Sequence, residues 1–204
     1  MDIKTFDLGH IPPILQKCLS LNYKIFLNKN YDLNLIACRS PSRESGKFDD
    51  LFHVIYRMGD RYVQETYSCT TDAGLYWMHN PSRVEGTAIL VPGQYRNAYK
   101  LDYHGGNKSH LALCQRGNTV QVYRDSNRDN ILDHDPDSIQ EGWFGINIHR
   151  ASTSTTHIAE NVDKYSAGCI VIQEIDDFNR LIALAKKQID TLGYESFSLT
   201  LLED

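Results

Sequence analysis

Beyond Leu51 the apolar residues of this chain fall at alternate positions in short runs, the period at which a strand turns one face to a core. Leu51–Arg57 (LFHVIYR) and Arg61–Tyr67 (RYVQETY) flank Met58-Gly59-Asp60, a pattern that predicts a hairpin. Further strands are predicted over Gly86–Val91, Tyr95–Leu101, Ser109–Cys114, Thr119–Tyr123, Phe144–His149 and Gly168–Ile172, with Phe197–Leu202 alternating as the last. Between Asp176 and Leu192 the period becomes helical, with Phe178, Leu181, Ile182, Leu184, Ala185 and Ile189 largely on one face. Asp176 and Asp177 suit the positive end of that helix, and Gly193 suits its left-handed cap. Before Leu51 the signals are shorter: a helix over Pro13–Leu21, a strand over Asn34–Arg39 and an exposed loop over Arg39–Lys47 (RSPSRESGK). The pattern predicts a β-rich α+β fold with one main helix, organised as an N-terminal extension over 1–47 packed on a core domain over 48–204.

Composition narrows the picture. The chain has 204 residues, room for one sizeable domain with a small extension. Its formal net charge of −5 gives no general attraction for nucleic acid. No run of eighteen apolar residues predicts a membrane span, and Met1–Pro13 lacks the apolar core of a signal peptide. The five cysteines, Cys18, Cys38, Cys69, Cys114 and Cys169, are odd in number and match no zinc or CxxC spacing, so they read as reduced thiols.

The candidate chemistry lies in Phe144–Ile172, FGINIHRASTSTTHIAENVDKYSAGCIVI. A His ends an apolar strand, a Thr-rich loop follows, and a Cys stands after a small residue and a Gly. Cys169 with His149 upstream is a plausible nucleophile and base, because an adjacent imidazole can take the thiol proton. Gly168 lets backbone amides approach a developing oxyanion. The plainer alternative is packing: free Cys is among the most buried residue types, and Ile170-Val171-Ile172 reads as a core strand.

This stretch resembles the signature of the L,D-transpeptidase catalytic domain, a His followed after roughly fourteen to seventeen residues by Ser/Thr-His-Gly-Cys. Gly145–His149 is similar to the strand that delivers the His, and Ser166, Gly168, Cys169 and Ile170 to the nucleophile segment. The resemblance implies a β-sandwich with one main helix after the nucleophile, a thiol enzyme acting on peptidoglycan stem peptides, and no cofactor. It implies that Cys169 attacks, that His149 is the base, that the carbonyl of Arg150 orients the imidazole, and that Ser166 lies on the substrate. The chain departs from the family at Ala167, where a second His is usual, and at Val171, where Asn or Arg is usual. His157, in the Thr-rich loop, is a candidate replacement for the lost imidazole and a substrate-binding residue.

These departures keep two functions open: transpeptidation or hydrolysis at a stem peptide, or a degenerate wall-binding or virion module. Export is normal in the family, so a chain without a signal peptide is expected to reach the wall from a phage or to have lost its signal; otherwise it is cytoplasmic. Metal readings rank lower. Asp125, Asn127, Asp129 and Asp133 have the spacing of Ca²⁺ ligands, with Ile131 for a carbonyl, but Pro136 stands where the bidentate Glu belongs. The alternative, a solvated acidic turn, is the one favoured. Zinc on His149, His157 and Cys169 lacks the usual paired spacing. His104 and His110 read as residues of an exposed hairpin end, although His104 is placed to reach the thiol. Tyr76 and Trp77 read as core rather than groove.

Overall fold

The computed structural model describes residues 1–105, 109–152 and 158–203. Its strands are β1 (Asp2–Asp7), β2 (Asn34–Arg39), β3 (Asp50–Met58), β4 (Arg61–Thr70), β5 (Thr87–Leu90), β6 (Gly93–His104), β7 (His110–Gln115), β8 (Val120–Asp125), β9 (Gln140–Gly142), β10 (Ile148–Arg150), β11 (Ile170–Ile172) and β12 (Ser196–Glu203). Its helices are α1 (Pro13–Ser20), α2 (Leu75–His79) and α3 (Ile175–Leu192), with a 3₁₀ turn at Pro136–Ser138.

The chain is β-rich, as the alternation predicts. Its main sheet, however, closes into an eight-strand barrel where two stacked sheets were expected. Around the wall the order is β4-β11-β10-β7-β6-β12-β2-β3, and β3 returns to β4. Two pairings are parallel, β10 with β11 and β12 with β2. Closure passes through a short seam, where Val171 and Ile172 pair with Thr70 and Cys69. β1 lies along the remaining length of that edge, from Arg61 to Thr66, covering backbone groups that would otherwise be unpaired. β5, β8 and β9 form a separate antiparallel sheet. β2 falls within the expected 1–47 extension, yet it is a stave of the barrel, held between β12 and β3.

Period-two alternation sorts the side chains. On β2, Leu35 and Ala37 enter the main core, while Ile36 and Cys38 pack with Leu15 and Cys18 of α1. On β3, Phe52, Val54 and Tyr56 face the main core and Ile55 faces α1. These strands are therefore covered on both sides. The apolar stripe of α3, Phe178, Leu181, Leu184 and Ala185, joins the main core, and Gly193 ends the helix in left-handed geometry at φ 68°.

A buried polar knot ties α3 to the wall. Glu65 on β4 is fully buried and receives Tyr56 Oη at 2.7 Å, Tyr67 Oη at 2.8 Å, and Arg180 Nη2 and Nε at 2.7 and 3.0 Å. Burial alone would push the Glu65 carboxyl up. The hydrogen bonds from Arg180, Tyr56 and Tyr67 outweigh it and hold the group below the usual carboxylate range.

Candidate active site

The His149 and Cys169 segments are neighbours because β10 and β11 run side by side, with Ile148 opposite Ile170 and His149 opposite Val171. Ile148, Ile170 and Ile172 point into the main core. By alternation the residues between them face the other way. Val171 and Cys169 accordingly pack in a small separate cluster with Ala151 and Ala159, and His149 meets the rings of His104 and His110 from the β6–β7 hairpin.

The segment that leads to His149 is held differently from the expected strand. Only Ile148–Arg150 pairs as β10. Three successive amides, of Phe144, Gly145 and Ile146, instead donate to one acceptor, Oε1 of buried Gln115, at 3.1, 3.0 and 3.2 Å. That convergence bends the backbone out of a ladder, and Gly145 takes φ 73° to permit it. Gln115 Nε2 donates to Gly142 O at 2.9 Å, and the Gln115 amide donates to Asn147 Oδ1 at 2.9 Å. One buried glutamine thus sets the approach of the His segment.

Ser166 is expected on the substrate but is completely buried beneath the turn. Its hydroxyl donates to Cys169 O at 2.7 Å and accepts from the Gly168 amide at 3.1 Å, while its carbonyl accepts from the Gly74 amide at 2.9 Å. It is therefore a staple for the nucleophile turn, and the correction follows from its burial and fully engaged hydroxyl. The same bonds commit the Gly168 amide to Ser166, so that amide is not one turned toward a substrate oxyanion. Gly168 itself is at φ 116°, and a Cβ there would lie 2.3 Å from Ala88 O on β5. Glycine is required for close approach of the turn to the second sheet.

His149 is 5 % exposed. Its Nδ1 lies 2.9 Å from Arg150 O, so Nδ1 carries the proton and Nε2 keeps the lone pair. The contact is with the Arg150 carbonyl and not with its side chain. Burial, followed by the neighbouring His104, lowers the imidazole to about 3 and keeps it neutral. Cys169 Sγ donates to Gly145 O at 3.4 Å and accepts the Asn147 amide at 3.4 Å. Burial pushes the thiol up to about 11, against the Asn147 hydrogen bond that favours the thiolate. Among the described residues no hydrogen bond joins His149 to Cys169, so the resting pair is a neutral thiol beside a neutral imidazole.

His104 ends β6 at the hairpin, but its ring is half-buried and turned to the site. Its ring stacks on His149 at 4.3 Å between centroids and 16° between planes, and its Nδ1 accepts from Asn147 Nδ2 at 2.9 Å. His110, opposite His104 in the ladder, meets both rings edge-on and packs against Phe178 of α3. Neither Asn147 nor Gln115 is singled out by a sequence motif; the one signal for Asn147 is its alternation with His149 on the predicted strand. His157 lies outside the described residues, and the zinc reading that needs it goes with it. Tyr76 is partly exposed with Lys164 Nζ 4.4 Å over its ring, and Trp77 Nε1 donates to Lys164 O at 3.1 Å, which ties α2 to the nucleophile loop.

The acidic loop stands apart from this centre. Asn127 Nδ2 donates to Asp129 and Asp133 at 3.0 and 2.9 Å, the Ile131 amide donates to Asp129 at 2.7 Å, and the Asp133 amide donates to Asp125 at 2.9 Å. Among the described residues no group of three or more His, Cys, Asp or Glu side chains is placed to hold a metal ion, and no helix is long and apolar enough to cross a membrane.

Compared with protein-family models, with curated proteins and with solved structures, the chain shows no significant match.

Proposed function

We propose that the protein is a cysteine-dependent enzyme of L,D-transpeptidase type, acting by acyl transfer or hydrolysis on peptidoglycan stem peptides. The observation that carries this reading is the placement of His149 on β10 and of Cys169 immediately before its parallel neighbour β11, with His149 Nδ1 fixed on Arg150 O and Nε2 left as the basic nitrogen. A general base beside a thiol needs its tautomer fixed in this way.

In this mechanism substrate displaces the resting contact between Cys169 and Gly145 O. His149 Nε2 takes the thiol proton as Sγ forms a bond to the scissile carbonyl carbon. The amide nitrogen then leaves with the proton held by His149, and the thioacyl-enzyme remains. An amine completes transpeptidation, or water completes trimming, with His149 again accepting the proton. Ala167 and Val171 remove polar groups that the family places near the substrate, which favours hydrolysis or an altered stem peptide.

A second reading, a wall-binding or virion module with a silent site, draws on one observation: the resting thiol and imidazole are both neutral and not hydrogen-bonded to each other. Catalytic contacts often tighten only with substrate bound, so the enzyme reading is preferred. The test is incubation of the protein, and of Cys169→Ala beside it, with purified muropeptides, with the products read by mass spectrometry. Loss of a terminal D-amino acid or a new cross-link, seen only with intact Cys169, is expected. No change across several wall chemistries moves the assignment to the binding module.

A further inference from the structure

The signature carries Ala167 where the related pattern has a second histidine, yet the fold supplies another imidazole from elsewhere. His104 ends β6, and it reaches the centre because the β6–β7 pairing sets it opposite His110, on the face that His149 shares. We propose that His104 is a positioning residue for the base: clamped by Asn147 and stacked on His149, it holds the His149 ring in the plane in which Nδ1 meets Arg150 O and Nε2 keeps its lone pair for Cys169. This inference rests on the thiol-enzyme reading.

The clamp is specific in direction. Asn147 cannot present its amide the other way round, because Oδ1 is engaged by the Gln115 amide and Nδ2 must therefore face His104. An Nδ1 that accepts a hydrogen bond has no proton of its own, so His104 is held neutral with its proton on Nε2. A neutral ring stacked 4.3 Å from His149 fixes its plane without placing a charge beside it, whereas a second cation there would oppose proton uptake by His149. Asn147 also donates its backbone amide to Cys169 Sγ. One residue therefore braces both the nucleophile and the ring that backs the base.

The roles divide by atom. His149 exchanges the proton; His104 and Asn147 hold their protons throughout the cycle. Replacement of His104 should consequently affect turnover more than substrate binding, and a flat uncharged ring should restore much of what is lost.

The experiment compares wild type with His104→Ala and His104→Phe. Nitrogen-15 NMR of the His149 ring in the substrate-free protein reports its tautomer, and muropeptide kinetics report kcat and KM separately. The expected result is a single Nδ1-protonated tautomer in wild type, tautomer averaging in His104→Ala, and recovery in His104→Phe. In step with this, kcat should fall about ten- to a hundredfold in His104→Ala with KM little changed. A folded His104→Ala that keeps both the wild-type tautomer and the wild-type kcat overturns the proposal, as does a His104→Phe no better than His104→Ala in both readouts. If His104→Ala does not fold, His104→Phe against His104→Leu makes the same ring-against-aliphatic comparison. The NMR readout needs no substrate: tautomer coupling in a protein inert to all muropeptides removes the enzymatic reading and leaves the positioning contact standing.

Discussion

Two buried polar clusters sit on the same barrel, and they are completed in opposite ways. Around Glu65 the donors converge on one carboxylate: two tyrosine hydroxyls and two guanidinium nitrogens reach its two oxygens. Around His149 the bonds fix the rings and the thiol separately and leave the base and the nucleophile unjoined. Nδ1 of His149, Nδ1 of His104 and both ends of Asn147 are assigned partners, while His149 Nε2 and Cys169 Sγ are left without a bond to each other. A cluster closed on one carboxylate fastens elements together; a cluster that fixes a base and a thiol without joining them holds both for a third group.

The sharpest break between the two comes from Cys169→Ala. It removes the nucleophile from a half-buried position and should abolish muropeptide turnover, by about 10⁴-fold or more, while thermal unfolding stays within a few degrees of wild type. Turnover near the wild-type level would remove Cys169 from the mechanism. Glu65→Gln should do the reverse. It leaves Arg180 and the two tyrosines around a neutral amide and should lower stability by about 2–3 kcal/mol, at the low end for a broken buried pair because the Arg180 side chain is 44 % exposed and reaches water. Denaturant unfolding measures the loss, and the alkylation rate of Cys169 should not move.

The elements legible in the sequence are those whose signal is local. The Leu51–Tyr67 hairpin and the α3 helix follow from apolar period and turn residues, and both appear within a few residues of the expected limits. β1 gave no such signal, because its residues DIKTFD are mostly exposed and it is specified by the edge of β4 rather than by a buried face. Barrel closure is equally invisible, since it depends on two residue pairs between β11 and β4. In the site, the His–Gly–Cys order could be read from spacing. For His104 the sequence offered only a place near the thiol; its partner Asn147, 43 residues away, is reached through strand pairing and was not legible. Ser166 misled for a related reason: the motif gives its neighbour in sequence, but burial decides whether a hydroxyl faces substrate or backbone.

Acid sharpens the comparison on stability. His53 and His149 are both buried and both held neutral, lowered chiefly by burial to about 4 and about 3. In the unfolded chain each titrates near 6.5. Below that pH the unfolded state binds protons that the folded state refuses, so stability falls as pH drops from about 6.5 toward 4. The loss is about 2 kcal/mol per histidine by pH 5. His53→Phe should remove its share of the slope between pH 7 and pH 5, measured by denaturant unfolding, and leave the activity of the centre unchanged. An unaltered slope would mean that His53 is charged in the folded protein.

The smallest effect separates redundancy from commitment. Tyr56→Phe deletes a hydroxyl that donates to Glu65 and accepts from Arg180 at 3.2 Å, and it keeps the ring stacked on Tyr31 at 5.4 Å. Glu65 Oε1 still has Arg180 Nη2 at 2.7 Å, so no buried oxygen is orphaned. The loss should be about 1 kcal/mol, the net worth of a hydrogen bond whose partners stay satisfied. A loss as large as that of Glu65→Gln would show that the phenol, rather than the guanidinium, holds the carboxylate in its charged form, and the knot would then depend on a single donor.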